Sequence, residues 1–220
     1  MLLACWSAKG GSGTTVVSVA IASLLAEDSP GGALLVDLAG DVPAVLGLPE
    51  PAGPGIAGWL DAGVEVPADA LTRLEVAGPG GLRLLTRGSL EEVPAGAAAG
   101  RGAVLAALLA VDGRPVVADC GGAPVGAGLA VAAAAPTSLL VIRPCYLSIR
   151  RALLAGLRPS GVVVVGSSLR TLQADDVEAA LGVPVVATVA LDDRVARAVD
   201  AGLLGHRLPR SLRHPLRHVA

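Results

Sequence analysis

Short apolar runs that carry few charges alternate with longer Ala- and Leu-rich runs along this 220-residue chain. The short runs are apolar on both faces of a strand, as parallel strands are when helices cover both sides of their sheet. This alternation predicts a three-layer α/β fold, with a mostly parallel sheet of about seven strands and helices on both faces. The predicted strands are 2–6, 33–37, 82–86, 115–119, 138–142, 161–165 and 183–189. The predicted helices lie near 14–27, 101–111, 125–134, 146–157, 171–181 and 192–202.

The composition supports a packed core and excludes some classes of protein. The chain is 53% hydrophobic and 16% charged, so it can bury a sizeable core. It has three aromatic residues, too few for a platform on which single-stranded nucleic acid would stack. Its cysteines, Cys5, Cys120 and Cys145, have neither zinc-site spacing nor the pattern of a disulfide framework. We therefore expect reduced thiols and a cytoplasmic location, with peripheral membrane attachment left open.

Two apolar stretches could be mistaken for membrane segments. Residues 14–26 follow a lone lysine as a signal peptide would, but a buried strand pattern comes soon after them. Residues 120–142 carry no charge, yet they contain two prolines and several glycines, which favours a strand, a loop and a helix over one spanning helix. The Pro/Gly-rich stretches 49–58, 78–81 and 94–102 are predicted surface loops. We expect one domain over 1–205, followed by a basic tail over 206–220.

A glycine-rich loop joins the first predicted strand to the first predicted helix. The strand ends at Trp6, and the chain turns through Lys9–Gly13 before the helix opens at Thr14. Glycines allow backbone N–H groups to converge on an anion, and the helix N-terminus adds partial positive charge. A tight turn without a ligand remains open. So does a dinucleotide-binding fold with Asp37 on a ribose, although Val16 stands where that motif needs a third glycine.

The sequence KGGSGTT over 9–15 resembles the deviant Walker A loop, K-G-G-x-G-K-[ST], of the ParA/MinD group of P-loop ATPases. The resemblance continues in LLVDLAGDVPAVLGL (34–48), VVADCGG (116–122) and VALDDRVARAVDAGLL (189–204). These segments are similar to the family's switch-one segment, its Walker B strand and its late I-P-x-D segment. The closest likeness is to the CpaE/TadZ branch and to septum-site-determining (Ssd-like) proteins, which position pilus or division machinery and often have degenerate loops.

The resemblance implies ATP or ADP with Mg²⁺ as the ligand and a homodimer as the assembly. The chain has sixteen arginines and one lysine, and that lysine stands where the family's signature lysine reaches the partner's phosphates. The implied site residues are Lys9, Asp37 and Asp41 for catalysis; Gly10, Gly11, Ser12, Gly13, Thr14, Thr15 and Asp192 for nucleotide binding; and Thr15, Asp37 and Asp119 for Mg²⁺.

Four departures from the family pattern weaken the case for hydrolysis. Thr14 replaces the lysine that touches the β- and γ-phosphates. Ala39 replaces a second aspartate, for which Asp41 is spaced to substitute. The other two are Gly166, in the place of an adenine-reading asparagine, and Ala190, in the place of a proline. We therefore expect a positioning protein for a pilus, secretion or septum assembly, acting through dimer or partner contacts with weak or absent ATP hydrolysis. The alternatives are an active ATP-dependent dimerising switch and a dinucleotide-dependent oxidoreductase.

The last twenty residues carry four arginines and no acid, whereas the chain as a whole has a net charge of -2. Leu212, Leu216 and Val219 could form one face of an amphipathic helix, which would suit an anionic membrane. Pro209 and Pro215 interrupt that pattern, so we expect a frayed, solvated end. A membrane surface, DNA backbone or an acidic partner remain the alternative uses of this tail.

Overall fold

The computed structural model describes residues 1–49, 51–62, 67, 69–89, 95–166 and 171–220, and leaves out the side chains of 95–99. Its eight-stranded sheet has the order β3-β4-β2-β5-β1-β6-β7-β8, with β3 antiparallel and every other pairing parallel. The strands are β1 Leu2–Ser7, β2 Ala33–Asp37, β3 Val76–Ala77, β4 Leu82–Leu85, β5 Val116–Gly122, β6 Thr137–Ile142, β7 Gly161–Gly166 and β8 Val185–Ala190. The predicted three-layer fold is confirmed, with one short strand more than the sequence indicates.

Helices cover both faces of the sheet. On one face, α1, α2 and α10 contribute to an apolar cluster that includes alternate residues of β1 such as Leu3 and Cys5. On the other, α3 and α5 to α8 contribute to a cluster that includes Trp6, whose indole N–H donates to the Ser138 hydroxyl at 3.1 Å. The helices are α1 Thr14–Asp28, α2 Val42–Val45, α3 Gly55–Asp61, α4 Ala70–Arg73, α5 Ala95–Ala110, α6 Gly126–Ala134, α7 Tyr146–Leu154, α8 Ala174–Leu181, α9 Asp193–Asp200 and α10 Arg210–Leu216, with a 3₁₀ turn at Pro79–Gly81.

Two of the predicted loops contain helices. Within 49–58 the chain enters α3, because Ile56, Trp59 and Leu60 are buried and pack as one apolar face. Within 94–102, α5 begins at Ala95. Its Gly102 marks close helix packing, since a Cβ there would lie 2.8 Å from the Cα of Ala127 in α6. The loop predictions for these residues are wrong because the glycines there do not reverse the chain. They allow buried residues to pack and helices to approach each other closely.

The carboxyl-terminal segment packs on the domain. Leu212 and Leu216 of α10 are fully buried against α1 and β8. The guanidinium of Arg213 donates twice to the carboxylate of Glu27, at 2.6 and 2.7 Å. The expectation of a frayed end is therefore wrong for 210–216. Burial of two leucines outweighs the single backbone hydrogen bond that Pro215 cannot make.

The strand order argues against the dinucleotide-binding alternative. That fold places its first and second strands side by side, in the order 3-2-1-4-5-6. Here β5 lies between β1 and β2, so the first two strands do not pair. In the part of the chain that the structure describes, no helix has both the length and the apolarity needed to cross a bilayer.

Candidate functional site

A cleft of about 520 Å³ opens at the carboxyl ends of β1 and β5. From β1 the chain crosses to β2 on one side of the sheet, whereas from β5 it crosses to β6 on the other. The loops after these two neighbouring strands therefore diverge, which makes this the topological switch point where α/β proteins bind ligands. The first loop, the loop after β2 and the loop after β5 line the cleft.

The first loop forms an open cup. A Cβ built on Gly10 or Gly11 would meet no atom within 4 Å, so no side chain fills the space above them. Gly11 and Gly13 have φ values of 75° and 91°, a conformation that favours glycine. The hydroxyls of Ser7 and Ser12 donate to the Lys9 carbonyl at 2.8 and 3.1 Å, which pins the loop from within.

The loop after β5 is held tightly against the first loop. The Ala123 amide donates to the Ser7 carbonyl at 2.6 Å, and Ala123 has a φ of 51° although it is not glycine. A Cβ on Gly122 would lie 3.0 Å from the Gly10 nitrogen. Only glycine allows this approach, so the two loops form one rigid rim of the cleft.

Asp119, in the middle of β5, has a carboxylate oxygen without a partner in the described part of the chain. The carboxyl is fully buried, and its Oδ1 accepts from the Gly121 amide at 3.1 Å. Among the described residues, its Oδ2 is buried and has no hydrogen-bond partner. Burial raises the pKa of Asp119 to about 6, against the lowering effect of the nearby Thr15 hydroxyl and the Gly121 amide. An orphaned carboxylate oxygen near a helix-N-terminal hydroxyl is chemistry that suits a hard cation such as Mg²⁺.

Asp37, which pairs in register with Asp119, is used differently. Its Oδ1 accepts from the amides of Ala39 and Gly40 at 3.1 and 2.6 Å, and its Oδ2 accepts from the Val42 amide at 3.2 Å. Burial raises the pKa of Asp37 to about 7, although these amides oppose the rise. Both oxygens thus hold the loop after β2, and a metal-ligating role for Asp37 stays a prediction.

The remaining acidic and basic residues of the predicted site lie at different distances from the cleft. Asp41 is exposed, lines the cleft beside Ala39, and is one of the charges that raise the pKa of Asp119. Lys9 is half-buried and lies outside the cleft lining. It acts on Cys145, whose pKa is lowered first by the Ser148 hydroxyl and further by the charge of Lys9.

The sequence analysis missed Arg87. This residue follows β4 and is the one basic side chain among the described residues that line the cleft. Its Cδ lies 3.4 Å from the position that a Cβ on Gly40 would occupy, so its side chain lies over the loop after β2. Its position in the sequence could have indicated that it lies in the cleft. A charged residue directly after a predicted strand lies at the edge of the sheet where α/β proteins bind ligands. Whereas Arg87 is half-buried, Thr14 at the start of α1 is buried, with only 6% of its surface exposed.

Asp192 belongs to a second space. A cavity of about 310 Å³ lies between Gly13, the ends of β7 and β8, and α9. Apolar side chains such as Val16 and Val165 form much of its lining. The Asp192 carboxylate accepts from the Arg194 amide at 2.8 Å and from the Ser211 hydroxyl at 2.7 Å, so it caps α9 and ties α10 to it. The predicted binding residues thus divide between two spaces that meet at Gly13.

Comparison with known proteins identifies the fold. No protein-family model and no curated protein matches the sequence. Among solved structures, a ParA family ATPase from Chlorobium tepidum is 18% identical with a TM-score of 0.81, over 100% of this chain and 97% of that one. MinD from Pyrococcus horikoshii, complexed with Mg-ADP, is 14% identical with a TM-score of 0.77, over 100% and 94%. MinD in the MinC:MinD complex of Aquifex aeolicus is 18% identical with a TM-score of 0.75, over 99% and 92%.

This chain therefore has the fold of the ParA and MinD ATPases along its whole length. The resemblance that the sequence indicates is confirmed at the level of the fold.

Proposed function

We propose that this protein is a ParA/MinD-like positioning protein that binds ADP or ATP with Mg²⁺ in the switch-point cleft and hydrolyses ATP weakly or not at all. The observation that carries the proposal is the combination of open space at Gly10 and Gly11 with the orphaned Oδ2 of Asp119, whose carboxyl lies near the Thr15 hydroxyl of the cleft lining. The orphaned oxygen carries more weight than the open space, because Gly156, outside the cleft, has open space as well.

Each part of the cleft has a separate task in this proposal. The amides of Gly10–Gly13 and the N-terminus of α1 bind the phosphates. Thr15 and Asp119 would hold Mg²⁺, which would offset the charge of the phosphates. The described residues contain no group of three or more His, Cys, Asp or Glu that could hold a metal alone. In this proposal the nucleotide and water would supply the rest of the coordination, as is usual for Mg²⁺.

We expect weak hydrolysis because of which cations the cleft contains and where they lie. A charge-assisted hydrogen bond contributes about 1.5–3 kcal/mol, and Thr14 cannot provide the one that a lysine would make to the phosphates. Arg87 brings a guanidinium to the other side of the cleft, over the loop after β2. We infer that Arg87 restores part of the lost binding energy without restoring the geometry of phosphoryl transfer.

The positioning role rests on the fold and on the separation of Lys9 from its own cleft. A solved MinD of the same fold occurs in a complex with MinC. In this protein, nucleotide binding would set the relative stability of monomer and homodimer, and the dimer would present the surface that a pilus, secretion or septum component recognises.

Thermal unfolding with and without Mg-ADP or Mg-ATP tests the binding. A ligand at 100 times its Kd adds about 2.7 kcal/mol, or roughly 5–10 °C for a chain of this size. Gly11→Ala should abolish the shift. Gly156→Ala is a matched control, because Gly156 also has positive φ and open space but lies outside the cleft. If neither nucleotide shifts the wild-type protein at millimolar concentration, the nucleotide part of the proposal is wrong.

Phosphate release distinguishes the proposed function from the active switch. We expect wild-type release close to the buffer rate, and a measurable increase in Thr14→Lys, which restores the missing lysine. Robust release by the wild type that disappears in Lys9→Ala would instead establish an active ATPase.

A further inference from the structure

A second cleft, of about 690 Å³, lies between α9 and the segment that leads into α10. We call it the arginine cleft, because Arg194, Arg197, Arg207 and Arg210 all line it and none of the acidic residues that the structure describes does. None of its lining residues belongs to the switch-point cleft. It is a separate feature of the molecule.

The fold brings these four arginines together, but their side chains have no polar partner within its described parts. All four are exposed, and none of their guanidinium groups makes a hydrogen bond or an ion pair within the described parts of the chain. Their neighbour Arg213 differs, since it forms a two-point ion pair with Glu27. Like charges that converge without a partner repel one another, so an anionic ligand would relieve a cost that the free protein bears.

The nearby acids do not cancel this charge. Asp192 accepts from the Arg194 amide and the Ser211 hydroxyl, and charges on Arg194 and Arg197 further lower its pKa. Asp193 and Asp200 also belong to α9, but neither lines the arginine cleft. The cleft therefore remains positive.

The floor of the arginine cleft selects among anionic ligands. Ala198, Leu203, Leu208 and Pro209 supply apolar surface between the arginines, and Leu203 is 53% exposed. A DNA backbone presents its phosphates along a convex surface, and it has no group that would pack against the apolar floor of the cleft. A peptide that carries carboxylates beside a leucine satisfies both parts, because the arginine fork binds carboxylates at two points.

We propose that the arginine cleft is a docking site for an acidic peptide segment of a partner protein, with its carboxylates on the arginines and an apolar side chain on Leu203 and Leu208. This proposal stands independently of nucleotide binding. It assigns the basic end of the chain to protein recognition.

Fluorescence anisotropy with a labelled synthetic peptide of alternating Glu and Leu tests the proposal on the full-length chain. We expect binding that weakens as salt rises and falls at least ten-fold in the Arg197→Ala/Arg207→Ala double variant. The control is Arg150→Ala/Arg151→Ala, which removes two exposed charges from α7 and should retain binding within two-fold. Leu203→Ala should weaken binding about three- to ten-fold, because it removes apolar contact but no charge.

Two further probes separate the competing ligands. A duplex DNA and vesicles of phosphatidylcholine with phosphatidylglycerol are tested against the same variants. If either binds more tightly than the peptide and is insensitive to Leu203→Ala, the acidic-peptide proposal is overturned in favour of that ligand. Absence of peptide binding, or equal loss in the two double variants, also overturns it.

Discussion

Two aspartates side by side in the sheet differ in how the protein uses their carboxylate oxygens. Asp37 and Asp119 pair across β2 and β5, and both are buried. Three amides donate to Asp37, so both of its oxygens have partners inside the protein even though burial raises its pKa to about 7. Asp119 accepts from one amide and has an orphaned oxygen. A buried unsatisfied polar atom is costly, and the proposed Mg²⁺ would give this oxygen a partner.

The first prediction concerns the cost of that oxygen. Asp119→Asn removes a buried carboxyl whose pKa is raised to about 6, so the ligand-free protein should become more stable at pH 7. A gain of about 1 kcal/mol corresponds to a rise of 2–4 °C in Tm. The same variant should lose the Mg²⁺-dependent part of the nucleotide shift. Calorimetry with and without Mg²⁺ measures both, and an unchanged Mg²⁺ response would show that Asp119 does not hold the metal.

A double-mutant cycle at Arg87 and Thr14 tests the proposal that Arg87 supplies the phosphates with a cation that Thr14 cannot provide. Arg87→Ala should weaken Mg-ADP binding roughly ten-fold or more, because it removes a charge-assisted contact of about 1.5–3 kcal/mol. In a Thr14→Lys background the same change should cost much less, since the new lysine supplies the cation. Calorimetric titration of all four proteins gives the coupling, and strict additivity would mean that the two positions do not share the phosphates.

At the scale of elements, α10 belongs to the core, although the sequence pattern predicts a frayed end there. Leu212→Ala or Leu216→Ala should destabilise the protein by about 2–5 kcal/mol, as truncation of buried leucines does. Arg213→Ala lies between them but removes a partly exposed ion pair, so it should cost at most about 1 kcal/mol. Denaturant unfolding compares the three variants, and equal small effects would indicate that α10 detaches in solution.

The edge of the sheet contains a charged network that should respond to acid. Arg114 donates to both carboxylate oxygens of Glu75, at 3.0 and 2.7 Å, and Arg83 donates to one at 3.2 Å. Hydrogen bonds from Arg114 hold the pKa of Glu75 below its usual range. Its contribution to stability is therefore present above the unfolded-state pKa of about 4.3, and it is lost as pH falls through the lower folded-state value.

Glu75→Gln should consequently destabilise the protein near pH 7 by about 1–3 kcal/mol, because the Glu75 side chain is only 6% exposed. The difference from wild type should shrink below pH 4.5. Asp69→Asn is the control, since its ion pair with Arg73 is exposed and should contribute less than 1 kcal/mol at any pH. Thermal melts from pH 7 to pH 3.5 measure both, and a constant Glu75→Gln difference would contradict the assignment.

A feature of the fold or the site could be predicted from the sequence when the residues that determine it lie close together in the chain. The strand, glycine turn and helix over 2–28 share one continuous pattern, so their positions and the open cup could be predicted. The burial of α3 and α10 depends on surfaces contributed by distant segments, which periodicity does not reveal. Arg87 enters the cleft only because β4 pairs with β2, and that pairing joins residues about fifty positions apart.

For the whole molecule, the order of strands determines what the chain can bind. The insertion of β5 between β1 and β2 brings Asp119 to the edge of the first loop. Lys9 is not among the described residues that line the cleft, and its carbonyl is held by two serine hydroxyls. In the proposed function this loop therefore presents two surfaces, a cup for its own ligand and a lysine for a neighbouring molecule.

The final prediction separates these two surfaces. Lys9→Ala should leave the nucleotide-induced thermal shift of the monomer intact, because the side chain does not line its own cleft. It should abolish nucleotide-dependent dimerisation, in which the resemblance places this lysine on the partner's phosphates. Gly11→Ala should lose both. Sedimentation velocity with Mg-ATP measures assembly alongside the thermal shift. If Lys9→Ala loses the shift as completely as Gly11→Ala, then Lys9 acts within its own subunit, and the two-surface account of the loop is wrong.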